Sequence, residues 1–183
     1  ERAQRLYLRA RNYGLRGLEA AHPGLTQGLK ADPAGVLART TSQDVATLYW
    51  TGVAWAAAIS LSKDDPFLIA DLPVAEALVR RALALEETYD HGAIHVFLIS
   101  FEMSRAGLVL DAPVRARRHF DRALELTGGK HAAPYVTFAE SFATSRGILV
   151  VHTFNEGEEL PYGKAKQWVI VPRDGLPIAI AVI

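Results

Sequence analysis

Cysteine is absent from the 183 residues, which excludes disulfides, thiolate metal sites and cysteine nucleophiles. That absence does not choose a compartment, because exported and cytosolic proteins can both lack the residue. Charge of one sign is not in excess either, with 20 Lys and Arg against 20 Asp and Glu. No global positive field therefore exists to attract nucleic acid or anionic lipid. The local group Arg115, Arg117 and Arg118 reads as a solvated helix face. No apolar run reaches the roughly 18 residues a membrane span needs. There is no G-x-S-x-G elbow, and Gly128-Gly129-Lys130 lacks the glycine spacing of a phosphate loop, so we expect neither enzymatic activity nor a cofactor. What remains is 50% hydrophobic and 22% charged, the balance of a folded domain with a sizeable core. The first residue is Glu1, not methionine, so we expect a processed or trimmed product, with any lipid-attachment cysteine lying upstream.

Residues 1 to about 20 place Leu6, Tyr7, Ala10, Tyr13 and Leu18 among arginines with helical spacing, stopped by His22-Pro23-Gly24. Asp32-Pro33 is a cap followed by proline at the first helical position. Thr41 and Asp44 have the spacing of a capping box. From Asp44 to Leu61 the chain is apolar on nearly all sides, which predicts a helix central to the fold or lining a cavity. Asp71-Leu72-Pro73 opens a helix expected to run to about Tyr89. GAIHVFLISFEMS gives another, to about Arg105, and Asp111-Ala112-Pro113 starts one closed by Gly128-Gly129. A last helix begins in AAPYVTFAESFA.

The informative pattern is internal. Ala75, Val79, Ala82 and Leu83 recur 41 residues later as Ala116, Phe120, Ala123 and Leu124, with the flanking text RALAL echoed by RALEL. Ala3, Tyr7 and Ala10 give a weaker third copy. Each stripe puts small residues on one side of a helix, where a neighbour can approach closely.

The stripe resembles the second-helix signature of tetratricopeptide repeats, with Gly52 and Trp55 supplying the glycine and aromatic of a first helix. The strings YLRARNYGLRGLEAAHPG, DVATLYWTGVAWAAAISLSKDDP, GAIHVFLISFE and RARRHFDRALELTGGKHAAPYVTFAES together resemble the TRAP transporter TatT component family, over about residues 1–143. The resemblance implies an all-α, degenerate tetratricopeptide-like bundle and a periplasmic lipoprotein held to the membrane only through a lipid anchor upstream of this chain. It further implies a homotrimer whose protomers carry an apolar pore, and a periplasmic solute-binding protein as partner. A generic tetratricopeptide-like scaffold gripping a peptide or protein is the alternative.

Residues 144–183 depart from this. GILVVHTF, KQWVIVP and PIAIAVI are β-branched runs of strand length separated by turn chemistry. Three readings are open: a small β appendage pairing Gly147–Phe154 with Ala165–Val171 plus a third strand, a frame-shifted or aberrant gene end, and a divergent helical tail.

Seven residues are candidates for a ligand site. Tyr49, Trp50 and Trp55 put aromatics on more than one face of one helix, where they line an apolar channel or fill a core in which Gly52 and Ala54 make room. His95 and Glu102 supply either a polar anchor in an apolar pocket or a buried hydrogen-bonded group. Tyr135 and Phe138 share a face as pocket wall or packing aromatics. His91 and His95 lie four apart, but the glutamate of a zinc motif is missing and Gly92 puts His91 at a helix start, so no metal is expected.

Overall fold

A computed structural model describes residues 1–62, 64–105, 109–145, 151–153, 167–170 and 178–180. The chain divides into two compact units, residues 1–89 and 90–183, each taken by itself. Through residue 145 the regular structure is helical, as the periodicity predicts.

The first unit holds α1 (Arg2–Ala21), α2 (Leu25–Gly28), α3 (Pro33–Leu37), α4 (Val45–Ser60), α5 (Pro66–Ile69) and α6 (Leu72–Leu85). Local chemistry sets most of the starts. Asp32 accepts from the Gly35 N–H ahead of Pro33, and Asp65 accepts from the Leu68 N–H ahead of Pro66. The Asp44 carboxylate accepts from the Thr41 N–H at 2.8 Å, the reach-back half of a capping box despite the short side chain. His22 comes to 2.9 Å of the same carboxylate and ties the end of α1 to the start of α4.

The core of this unit forms where α4 packs between α1 and α6. Gly52 lies against the buried Ala75-Val79 side of α6, so one copy of the repeated stripe does bring two helices close together. A helix running to Tyr89 is not what forms. α6 stops at Leu85, Glu86 is extended, and Asp90 and His91 both adopt left-handed conformations (φ 43° and 56°) before Gly92 (φ 82°). Neither glycine nor proline precedes that stop, so local sequence did not signal it.

Glu19 pins the turn after α1. Its carboxylate accepts from the Thr26 hydroxyl at 2.6 Å, the Thr26 N–H at 2.9 Å and the Gly24 N–H at 2.6 Å. The Thr26 hydroxyl foremost, then those two amides, hold its pKa down to about 2. A carboxyl depressed on folding stabilises the fold above its unfolded pKa, and that contribution fades as pH falls toward the folded value. The gap in melting temperature between the wild type and Glu19→Gln should therefore be widest at pH 5 to 7. It should close steadily between pH 4.5 and pH 2.5, as followed by circular dichroism.

The second unit holds α7 (Ala93–Met103), α8 (Ala112–Thr127) and α9 (Ala132–Ser145). α7 is buried over Ile94, Leu98 and Ile99 and packs on both α8 and α9. The Ala116 and Ala123 stripe of α8 is fully buried, and left-handed Gly128 closes that helix. Beyond α9, β1 (Val151–Thr153) pairs antiparallel with β2 (Gln167–Ile170), which pairs antiparallel with β3 (Ile178–Ile180). The remainder of the expected strands Gly147–Phe154 and Ala165–Val171 lies outside the described residues.

Candidate functional site

α4 displays its aromatics on different sides, as adjacent helical positions must. Tyr49 is 6% exposed, edge-on to Trp50 and 5.6 Å from the Tyr89 ring, whereas Trp50 is 57% exposed. Trp50 borders a groove of about 460 Å³ between α1 and α4, lined on α1 by Tyr7, Ala10 and Gly14 and on α4 by Ala46, Val53 and Ala54 among others. Among the described residues, no charged side chain lines it.

Trp55 faces elsewhere. It is 4% exposed, and its ring N–H has no hydrogen-bond partner among the described residues. The Arg11 guanidinium of α1 lies over its ring, 4.9 Å from the centroid. Burial lowers the Arg11 pKa, opposed by the nearby Asp71 carboxylate. A buried donor left without an acceptor costs about 1–3 kcal/mol, so an acceptor arriving at Trp55 would remove a penalty the fold otherwise carries. Arg11 was not singled out from sequence. Its place two turns before Leu18, the buried residue of α1, was the available signal.

In the second unit, His95 meets His119 of α8, Nδ1 to Nδ1 at 2.9 Å. Glu102 is fully buried, and one of its oxygens receives Arg105 Nη2 at 2.8 Å and Arg115 Nε at 3.0 Å. Arg115 is thus not part of a solvated face: it turns inward because Glu102 sits across the α7–α8 interface. His91 does not share a helical face with His95, since its left-handed backbone puts it outside α7, where its ring lies 5.0 Å from His131. Among the described residues no group of three His, Asp or Glu has the spacing to hold a metal ion. Tyr135 and Phe138 gather with Phe120 of α8 at ring distances of 5.6 and 4.6 Å, and Phe138 stacks on Phe142. Phe120 belongs to the repeated stripe, whereas His119 was not singled out from sequence. Of the seven candidates, three lie on α4 in the first unit and four on α7 and α9 in the second.

No helix among the described residues is long and apolar enough to cross a membrane. The family model for the TRAP transporter T-component matches residues 1–147. A protein of Treponema pallidum (strain Nichols) described as uncharacterized is 30% identical over 144 residues, a stretch covering 76% of this chain. The same stretch is 45% of that relative, so the chain spans less than half its length.

Proposed function

Because the chain belongs to the TRAP transporter T-component family, we propose that it serves as a non-enzymatic accessory component of a tripartite solute transporter. In this reading it works in the periplasm, in a protein anchored by lipid and assembled as a homotrimer, and it docks a solute-binding protein. Its helical region, about residues 1–143, does the binding, with residues 144–183 as an appendage. The family match over residues 1–147 is the observation that carries the role. Co-purification from membranes under mild crosslinking should recover a solute-binding protein. Repeated recovery of unrelated partners without one would turn the reading toward a general helical-repeat scaffold.

The ligand in this proposal is a carboxylated compound with an apolar body, and Trp55 is its anchor. A buried indole N–H beneath a guanidinium offers a neutral donor and a cation to one carboxylate, within an otherwise apolar helix. Trp55→Phe keeps the shape and removes the donor. It should weaken ligand binding about tenfold, in line with the loss of one buried hydrogen bond, while stability is held or slightly improved. Titration of monocarboxylates, read by tryptophan fluorescence and by thermal shift, checks this. Equal affinity in the two proteins would remove Trp55 from the site. Tyr49, His95, Glu102, Tyr135 and Phe138 are secondary in this proposal, since each one's contacts already give it a packing role, and Trp50 is secondary because it is exposed at the groove on another side of α4.

A further inference from the structure

The groove beside Trp50 has a filled counterpart in the same chain. In the second unit α7 packs on both α8 and α9. It covers the Ala116 and Ala123 side of α8, whose neighbour Phe120 turns toward the α9 aromatics. Laying Ala3, Tyr7 and Ala10 of α1 on Ala116, Phe120 and Ala123 pairs α1 with α8, and Tyr7 then faces α4 as Phe120 faces α9. Yet Ala3, Tyr7 and Ala10 are exposed where their α8 equivalents Ala116 and Ala123 are fully buried. Among the described residues, none stands against α1 where α7 stands against α8.

We propose that this groove seats an apolar helix of the same polypeptide, the segment leading into α1. Three observations select that occupant. The N-terminal end of α1 lies within two turns of Tyr7, so a preceding segment would leave the chain at the groove. Small residues at Ala3 and Ala10 permit the close approach that Ala116 and Ala123 permit α7. Charge gives the third. In the same alignment Arg2 falls on Arg115, the residue that donates to Glu102 of α7. Arg2, Arg5, Arg9 and Arg16 of α1 have no carboxylate partner among the described residues, so the occupant carries an acidic residue opposite Arg2. Leu6 falls on His119, so where α7 has His95 the occupant is apolar.

The absence of cysteine makes the test direct. Ala10→Cys places a single thiol on the groove, and Lys130→Cys, an exposed position, serves as control. Thiol-labelling rates are compared between residues 1–183 and the full product of the gene, any upstream cysteine being changed to serine. The Ala10→Cys thiol should label about tenfold more slowly in the full product, independently of concentration, with the control unchanged. Adding Arg2→Glu should restore much of the lost rate. Equal rates would overturn the proposal, as would protection that disappears on dilution (a second copy), protection that requires another protein, or a gene product with no residues before Glu1.

Discussion

Glu102→Ala is expected to destabilise the protein by about 3 kcal/mol, at the lower end of the range for breaking a buried ion pair. Glu102 is fully enclosed, and both guanidiniums that reach it start from half-buried side chains. Arg105 is additionally held over the Phe101 ring at 4.6 Å, and Arg115 also approaches Asp111 at 3.5 Å. Removing the carboxylate leaves two cations facing an apolar α7 with that anion gone. The partial exposure of the arginines lets them swing toward water, which is why the loss should not reach 5 kcal/mol. Urea midpoints separate the causes. If uncompensated charge is the source, Glu102→Leu combined with Arg115→Leu should recover most of the stability. If lost packing is the source, the double variant should be no better than the single one. A loss below about 1 kcal/mol for Glu102→Ala would mean that the pair contributes like a surface salt bridge.

Gly52 presents the second large effect, and here the direction runs against helix propensity. Alanine for glycine inside a helix ordinarily adds about 1 kcal/mol. A Cβ at Gly52, however, would lie 2.6 Å from Val79 Cγ2 and 2.9 Å from the Ala75 carbonyl oxygen. The valine methyl can rotate away, but the carbonyl belongs to the α6 backbone and moves only if the helix moves. Gly52→Ala should therefore cost about 1–3 kcal/mol net, and Gly52→Leu should prevent α4 and α6 from packing. Gly17 of α1 is the control, because a Cβ there meets only Thr47 Cγ2 at 3.7 Å. Gly17→Ala should be neutral or stabilising. Thermal melts should show Gly52→Ala lowered and Gly17→Ala unchanged or raised.

Much of this is legible in the sequence alone. Helix starts at Asp32-Pro33 and Thr41/Asp44 rest on side-chain caps within four residues, and the one at Asp111-Ala112-Pro113 on proline in the first turn, which is why sequence exposes them. The stripes were legible because close packing demands small residues at fixed angles. The α6 stop at Leu85 was not, since Glu86 leaves the helical conformation with neither glycine nor proline beside it to mark the end. Nor was the sorting of the candidates. Adjacency shows that Tyr49 and Trp50 diverge, but only packing shows that Tyr49 is inside and Trp50 outside. The His95–His119 and Glu102–Arg115 contacts join residues 24 and 13 apart, and no local rule selects such partners.

The turn at Asp90, His91 and Gly92 bears on how such a chain can lengthen. Three successive left-handed residues interrupt any continuous helix, so the angular phase of α7 starts afresh and does not depend on how many residues precede it. An insertion at this turn or in the stretch after α7 leaves every stripe facing its neighbour. One residue inserted inside α6 or α8 instead rotates all that follows by about 100° and swings arginines toward the space kept for alanines. Variation in length should therefore collect at the breaks, while the spacing from Ala75 to Ala82 and from Ala116 to Ala123 admits no change.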